Sequence, residues 1–486
     1  MDRSNEGGSS RTIGADFLQL NAADAPTGGL ADWLTNQLRT AISDGRLPIG
    51  SRLPATRLLA AELQVSRGVV TEAYQRLTED GQLSGRGRAG TIVVAAPAVA
   101  PAPRARPHPV PQMRKPDLDI FVALRAAPAR IDLTPGVPDL ASFPRTAWLR
   151  SERAVLNNLE PAEFGYGDPA GTPRLRRAVS AWLARYRGIA ADPEEVIIVA
   201  GVAQAIGMLA QLLTERGIKD VAVEDPGSLG SRQHLEEWHL HTPPIPVDES
   251  GLQVDVLRES GAQVVMVTPA HQFPTGVVLE GERRRELLRW AADGGLIFED
   301  DYDAEHRYDR PPVPALRSMQ AEQVIYTGSV SKLLAPALRI GWIVPPPQYR
   351  DELISLKRRA DLGNASLPQL TLAHLMESGE LERQLRYVHR RHRTRRDAIA
   401  TAIANYLPTA TVHGAAAGLH LTITFPDDID DVALATAALE HGIKTHPLSW
   451  HCQLPHAPGL VLGYAARTPT DLTQAIRTLA TLLPSP

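Results

Sequence analysis

TGSVSKLLAPALRIG, residues 327–341, is the stretch from which we infer the fold and the chemistry of this chain. One lysine, Lys332, follows two near-adjacent serines, Ser329 and Ser331, and Arg339 comes later in the same stretch. A lysine amine condenses with aldehydes to form a Schiff base, and a lowered pKa makes that reaction easier. Hydroxyl groups and a guanidinium are suitable donors for a phosphate monoester. Alone, a Ser-x-Ser-Lys sequence is more often a solvated lysine after a strand, so the interpretation needs a second segment.

That second segment is LIFEDDYD, residues 296–303. An apolar run of strand type ends abruptly in carboxylates, as when a parallel strand delivers polar groups to the edge where open α/β sheets bind ligands. A buried carboxylate such as Asp300 pairs with a pyridinium nitrogen and keeps the ring an electron sink. Tyr302 would reach a ring hydroxyl. Alone, this segment is typical of an acidic loop at a strand end, but the two segments together indicate pyridoxal 5'-phosphate (PLP).

The pair of segments resembles those of the fold-type I, PLP-dependent aminotransferases. The resemblance implies that Lys332 is the Schiff-base lysine, that Asp300 binds the pyridine nitrogen and that Tyr302 faces the ring oxygen. The phosphate cup would be formed by Ser329, Ser331 and Arg339.

Length and composition limit the classes to which the chain can belong. At 486 residues it is long for one domain, so two or more are expected. Because the formal net charge is −4, any nucleic-acid binding must come from a local patch. The single cysteine, Cys452, cannot form an internal disulfide, and no uncharged apolar run approaches the length of a membrane span. With no apolar core of a signal peptide at the N-terminus, we expect a cytoplasmic protein. The sequence indicates no metal site.

The N-terminal part has the pattern of a winged helix-turn-helix. Residues 1–27 are rich in Gly, Ser and Asn and are predicted to be a flexible tail. A helix is predicted from Leu30, a second with Thr56 as its cap, and a third capped by Ser66. A small hairpin is predicted over 82–94. Residues 28–94 would therefore form a DNA-binding domain, with a small structural helical bundle as the alternative.

Basic residues collect where such a domain meets DNA, since the second helix of the pair enters the major groove by its N-terminal residues. Arg67 follows the cap of that helix, and Arg57 begins the preceding one. The segment resembles the DNA-binding domain of the GntR family of bacterial repressors in the stretches 50–57, 63–67 and 73–81. The resemblance implies DNA contacts by Arg57, Ser66, Arg67, Thr71, Arg86, Gly87 and Arg88. Gly68 departs from the usual Asn or Thr, so one base contact is missing.

A Pro- and Ala-rich stretch, residues 95–118, cannot form a core and is predicted to be a semi-rigid linker. From 119 to 486, strand-like runs alternate with helical stretches, which predicts a mostly parallel sheet covered by helices and a smaller C-terminal α+β domain. Residues 351–406 are predicted to be long, helical and strongly basic. A solvated helix face is the more frequent explanation of such a run, and a nucleic-acid contact the rarer one.

Further aminotransferase landmarks stand in the expected order. Tyr166 lies in a stretch that resembles the loop approaching the partner's cofactor in fold-type I dimers. Val202 and Ala203 open a helix after a strand and would aim backbone N–H groups at the phosphate. Ser228 stands where an aromatic residue often stacks on the ring, and Phe273 where an amide donor is expected, with His271 and Gln272 beside it. Val461 stands where aminotransferases carry the arginine that grips the substrate carboxylate, and Arg467 is no clear equivalent.

Joined in one chain, the two halves resemble the MocR subfamily of GntR regulators. The resemblance implies a homodimer, with domains swapped head to tail, that binds double-stranded DNA and uses PLP as effector or as the handle for an amine effector. Loss of the carboxylate clamp favours sensing over turnover. Two alternatives stay open: a working aminotransferase with an accessory DNA-binding domain, and a regulator whose pocket has lost PLP.

Overall fold

The structure is a computed structural model that describes residues 20–26, 28–85, 87, 90–96, 120–303, 305–308, 313–426 and 429–483. The chain divides into two compact units, Met1–Pro107 and His108–Pro486. Most of the predicted tail and linker lies outside the described residues. Within the described ranges, none of the helices is both long and apolar enough to cross a membrane.

The first unit is a three-helix domain with a three-stranded sheet, as predicted for a winged helix-turn-helix. Its helices are α1 (Leu30–Ser43), α2 (Thr56–Glu62) and α3 (Arg67–Glu79), and its strands are β1 (Arg52–Leu53), β2 (Leu83–Gly85) and β3 (Thr91–Val93). The strands pair antiparallel in the order β1-β3-β2. Apolar residues at helical spacing, among them Leu34, Leu38 and Val70, form one core.

One of the two predicted helix caps in this unit is confirmed and the other is wrong. Ser66 caps α3, because its hydroxyl accepts a hydrogen bond from the backbone N–H of Val69 at 3.4 Å. Thr56 does not cap α2. Ala55 takes the cap position without a side-chain bond, and Thr56 is the first helical residue.

The second unit is built around one eight-stranded sheet. The strands of this unit are β4 (Ile131–Asp132), β5 (Ile197–Val199), β6 (Ala222–Asp225), β7 (Pro244–Asp248), β8 (Gly251–Leu252), β9 (Val264–Val267), β10 (Leu296–Asp300), β11 (Val324–Ser329), β12 (Gly341–Val344), β13 (Thr411–His413), β14 (His420–Thr424), β15 (Ile443–Lys444), β16 (His446–Pro447) and β17 (Gly459–Gly463). The large sheet has the order β5-β12-β11-β10-β9-β6-β7-β8.

Five central strands, from β11 to β7 in that order, run parallel, which confirms the predicted sheet type. Every residue of β10 is buried, as expected for a strand covered on both faces by helices. The exceptions are β12, which runs antiparallel between β11 and β5, and the edge strand β8. The C-terminal ends of β10 and β11 therefore meet at one edge of the sheet.

Twelve helices of the second unit are described. They are α4 (Ile120–Ala126), α5 (Arg145–Asn158), α6 (Pro173–Arg187), α7 (Val202–Glu215), α8 (Leu229–Glu237), α9 (Val254–Glu259), α10 (Gly281–Ala292), α11 (Pro347–Asp361), α12 (Ser366–Glu377), α13 (Glu380–Tyr406), α14 (Asp431–Glu440) and α15 (Pro469–Leu482). The long helical stretch predicted for 351–406 is three helices. It is broken where Leu362 and Gly379 adopt the left-handed conformation.

The predicted small α+β domain is present. Residues from the start of the second unit also pack into it. Strands β13, β14, β17 and β16 form an antiparallel sheet in that order, and β4 pairs with β15. Ile120, Leu124 and Ile131 are buried in the same core as residues of α13, α14 and α15. The chain thus enters the second unit through its C-terminal domain before it builds the large sheet.

Candidate functional site

The residues assigned to a phosphate cup meet at one corner of the large sheet. Ser329 ends β11 and pairs in register with Gly341 of β12, which pairs with Val199 of β5. A Cβ on Gly341 would lie 3.1 Å from the Cα of Gly201 and 3.2 Å from the Cβ of Ser329. The antiparallel placement of β12 therefore joins the end of β11 to the start of α7.

The start of α7 offers backbone donors without side-chain hydroxyls, as the sequence predicts. Gly201 precedes the helix with φ +86°. Val202 and Ala203 are its first residues. The guanidinium of Arg339 donates to the carbonyl of Ala200 and lies against Gly201. A helix N-terminus beside a guanidinium is a suitable site for an anion.

Lys332 lies after β11 and is half-buried. Its Nζ donates a hydrogen bond to the carbonyl of Gly136 at 2.5 Å. A Cβ at position 136 would come within 2.8 Å of that amine, so the close approach depends on glycine. Burial lowers the pKa of Lys332, while Asp303 and Asp300 oppose this. No pattern in the sequence indicated Gly136, which is remote from Lys332 along the chain.

The carboxylates at the end of β10 differ in their hydrogen-bond partners. Glu299 accepts from the backbone N–H groups of Leu316 and Arg317. Asp301 accepts from Arg187 Nε at 2.5 Å and from the Tyr326 hydroxyl at 2.6 Å. Alternation along a strand turns Asp300 to the opposite face from these two residues.

Asp300 is the one carboxylate of this run without a partner among the described residues. It is buried, and its Oδ1 has no hydrogen bond. Burial, and next the charge of Asp301, raise the pKa of Asp300 to about 7, while Lys332 acts to lower it. A buried carboxyl oxygen without a donor is costly, so this group is suited to accept a hydrogen bond from a protonated nitrogen of a ligand.

Tyr302 reaches a histidine that sequence reasoning placed nearby without assigning a role. The Tyr302 hydroxyl lies 3.1 Å from His271 Nδ1. Both oxygens of Asp303 are near the same nitrogen, at 3.0 and 3.2 Å. This buried histidine lowers the pKa of Asp303 against the effect of burial. The pair holds the polar end of Tyr302 at the pocket.

The turn at Pro274 does not supply an amide donor. The Gln272 side chain donates to the carbonyls of Pro226 and Phe273, and its oxygen accepts from the backbone and hydroxyl of Thr275. Its hydrogen-bonding groups are therefore occupied within the protein. Phe273 packs against the rings of Tyr302 and His420.

Three predicted positions lie apart from this cluster or have another task. Tyr166 is 94% exposed on its own chain. Ser228 caps α8 by accepting from the backbone N–H of Ser231 at 3.2 Å, and a cavity of about 20 Å³, room for roughly one water, lies beside it. Val461 is fully buried in β17, and Arg467 donates to the backbone of Asp132. No arginine stands at the expected clamp position.

The positions of the first unit that are predicted to contact DNA are exposed where the structure describes them. Arg57 and Arg67 begin α2 and α3 and face solvent. Neither takes part in the ion pairs formed among the described residues of this unit. Thr71 is exposed with its hydroxyl bonded to the carbonyl of Arg67. Gly87 lies at the hairpin bend, while Arg86 and Arg88 fall outside the described residues.

Comparison with known families assigns both halves. Residues 30–93 match the family described as bacterial regulatory proteins, gntR family. Residues 130–479 match aminotransferase class I and II. That second family's fold implies PLP dependence, and the cluster around Lys332 lies inside the matched range.

Full-length relatives carry the same two halves. The probable rhizopine catabolism regulatory protein MocR of Rhizobium meliloti is 32% identical over 92% of this chain and 92% of its own length. The pyridoxine biosynthesis transcriptional regulator PdxR of Corynebacterium glutamicum is 30% identical over 89% of this chain and 91% of its own. Kynurenine aminotransferase from Pyrococcus horikoshii superposes with a TM-score of 0.69 and 25% identity, covering 75% of this chain and 93% of the enzyme. The chain therefore belongs to the MocR subfamily of GntR-family transcriptional regulators, DNA-binding proteins that join a helix-turn-helix to an aminotransferase class I and II domain.

Proposed function

We propose that this regulator binds PLP at Lys332 and that occupancy of the pocket changes its affinity for operator DNA. The observation that carries the proposal is the unpartnered, buried oxygen of Asp300, a carboxyl near enough to Lys332 for the charge of the lysine to act against its raised pKa. Its neighbours in the acidic run all have protein partners, so Asp300 is the group left for a ligand.

The residues present fit PLP. Lys332 would hold the aldehyde carbon covalently, and Asp300 would accept a hydrogen bond from the protonated ring nitrogen and keep it protonated. The phosphate would lie against the N–H groups of Val202 and Ala203, the hydroxyls of Ser329 and Ser331, and Arg339. When bound, the group supplies an electrophilic carbon to which an amine effector can add in place of the lysine.

The protein's own groups prepare the pocket for this binding. Burial favours the neutral, nucleophilic form of Lys332, and the Gly136 carbonyl orients its amine. Tyr302, positioned by His271 and Asp303, presents a hydroxyl toward the same space. Position 228 holds a serine that caps α8, so this chain provides no aromatic ring there to stack on the cofactor.

The site is better suited to sensing than to turnover. Val461 offers no positive charge for a substrate carboxylate, and the guanidinium of Arg467 is bound to the backbone of Asp132. A bidentate arginine contributes positioning that efficient amino transfer needs. The proposed effector is therefore PLP itself or an amine recognised without that clamp.

The proposal includes a homodimer, with domains exchanged head to tail. Tyr166 supports it, since this ring is almost fully exposed in a segment predicted to approach the cofactor of the partner. A large exposed aromatic ring is typical of an interaction surface. Sedimentation of the full chain with and without PLP measures the oligomeric state.

The test is a spectrum combined with a binding assay. Wild-type protein incubated with PLP and dialysed should keep a visible absorption band, and Lys332→Ala should lose it. Lys219→Ala, which removes an exposed lysine, is the control and should keep the band. Operator affinity should change with PLP in wild type and not in Lys332→Ala.

Two results would contradict the proposal. Colourless wild-type protein after saturation with PLP would favour a pocket that has lost the cofactor. Repeated amino transfer from an amino acid to a keto acid, without any effect of PLP on DNA binding, would favour an enzyme with an accessory DNA-binding domain.

A further inference from the structure

We propose that the second unit carries its own DNA-backbone contact surface on α13, apart from the winged helix. The surface consists of Arg383, Arg386, Arg390 and Arg393, and we call it the α13 basic face. The inference rests on the membership in a DNA-binding family and does not depend on PLP.

The four arginines form one stripe because of their spacing. They stand at positions i, i+3, i+7 and i+10 of a helix, which places them on one side of it. Residues such as Leu381, Val388 and Ile399 occupy the opposite side and are buried in the domain. All four arginines are exposed.

Two carboxylates at the start of α13 are largely covered, whereas Asp397, one turn after Arg393, is 59% exposed and pairs with Arg396. Glu380 and Glu382 have side chains only 17% and 11% exposed. They pair with Arg150 and Arg185, whose side chains are 64% and 57% exposed, and Glu380 also pairs with Arg383. At the start of α13, solvent therefore meets guanidinium groups, with the carboxylates that pair with them beneath.

Three members of the stripe keep their charge unpaired. Among the described residues, Arg386, Arg390 and Arg393 form no ion pair. Arg383, Arg386 and Arg390 line a surface cavity of about 420 Å³ together with Tyr387 and Pro144. The protein as a whole carries a net charge of −4, so this face stands out against an acidic background.

DNA phosphates are the partner that this chemistry fits. Guanidinium groups bind phosphate oxygens bidentately, and an exposed tyrosine hydroxyl can donate to the same backbone. A stripe along a straight helix matches a row of phosphates better than a single small anion. A contact of this kind is independent of base sequence, so it would add affinity rather than specificity.

The test compares two triple variants of the full-length protein. One is Arg386→Gln, Arg390→Gln and Arg393→Gln, which removes the unpaired charges of the α13 basic face. The control is Arg285→Gln, Arg289→Gln and Arg358→Gln, which removes three exposed arginines of the same unit and changes the net charge equally. Both sets lie on the surface, and thermal melts confirm that each variant folds.

The measurement is the affinity for a mixed-sequence DNA duplex several helical turns long, at a series of salt concentrations. Each phosphate contact adds about 0.9 to the slope of log affinity against log salt. If all three arginines bind phosphates, the slope for the triple variant of the α13 basic face should be smaller in magnitude than the wild-type slope by about 2.7. The control variant should keep the wild-type slope, and both should keep the wild-type response to PLP.

Three results would overturn the inference. Equal slopes for the face variant and the control would show that the stripe is only a solvated helix face. A loss of affinity for a nucleoside triphosphate, with the DNA slope unchanged, would show a small-anion site. A loss confined to a mixed-sequence RNA duplex would assign the face to RNA.

Discussion

Asp300 shows how strand alternation leaves a single buried carboxylate without a hydrogen-bond partner in the protein. Strand alternation separates it from Glu299 and Asp301, which are bonded into the protein, and leaves it facing the pocket with Lys332. Its pKa, raised to about 7 mainly by burial, means that the unliganded protein bears a cost near neutral pH. That cost is relieved by a ligand that brings a proton or a positive charge.

This cost leads to a pH-dependent prediction for the protein without PLP. The folded-state pKa of Asp300 lies above its ordinary value of 3.8, so the folded state keeps a proton that the unfolded state loses. The contribution of Asp300 to the free energy of unfolding of the wild type should therefore decrease as the pH rises from about 4 to about 7. Asp300→Asn removes the effect, and its melting temperature relative to wild type should increase across that window.

The exposed Asp293 provides the control for this measurement. Asp293→Asn makes the same change at a side chain that is 74% exposed, so it measures the part of the effect that any Asp-to-Asn substitution has. A flat difference for Asp300→Asn would contradict the assignment of Asp300 as the buried, unpartnered group.

Arg67 is the residue on which sequence-specific DNA recognition is expected to depend. It is exposed at the first position of α3, where a recognition helix meets base edges. Arg67→Ala should lower operator affinity by ~1–3 kcal/mol and relax specificity at one base pair. Binding measured against a set of single-base operator variants checks this, and Arg39→Ala, on α1, serves as the comparison.

At the scale of elements, a buried ion pair joins the last residue of α6 to the residue that follows β10. Arg187 and Asp301 are both fully buried, 2.5 Å apart, and Asp301 also accepts from Tyr326. Arg187→Met leaves the carboxylate without its cation and should lower the free energy of unfolding by ~3–5 kcal/mol. Denaturant unfolding of the second unit measures the loss.

The exposed pair of Arg216 and Glu352 is the matched comparison. Its members are separated by 2.5 Å but remain in solvent, so Arg216→Met should cost under about 1 kcal/mol. Similar losses for the two variants would show that burial of the Arg187 pair adds nothing.

The two helix starts of the first unit offer another comparison. Ser66→Ala removes the cap of α3 and should destabilise this unit by ~1 kcal/mol, while Ser66→Asp should retain most of the stability. Thr56→Ala should have little effect, because Thr56 makes no cap bond in α2. Thermal unfolding of the first unit distinguishes the two positions. An equal cost at position 56 would mean that the threonine side chain has a role not seen in the cap geometry.

At the scale of the whole molecule, the proposed sensing is a linkage between two sites. If PLP changes operator affinity by some factor, operator DNA must change PLP affinity by the same factor. We expect titrations in both orders to agree, with a coupling of ~1–3 kcal/mol. The Lys332→Ala variant should show no coupling in either order, and unequal factors in wild type would show that the two ligands do not share one equilibrium.

Much of the fold and part of the site could be predicted from the sequence, because their signals are local. The amine, the serines and Arg339 lie within one short stretch, and Asp300 and Tyr302 lie in another. Helical periodicity and turn residues likewise indicated the winged helix and the parallel sheet, which the structure confirms. The boundaries of the helices were predicted less accurately. Ala55, not Thr56, occupies the cap position of α2, and the helical stretch predicted for 351–406 consists of three helices.

Only the tertiary structure decided which groups are paired and which are free. The Gly136 carbonyl beside Lys332, the His271–Asp303 pair behind Tyr302 and the Arg187–Asp301 pair all join segments remote along the chain. The same is true of the carboxylates beneath the α13 basic face. The physical reason is that burial and charge pairing depend on which elements pack together in space. A pattern of residue types within one segment does not contain that information.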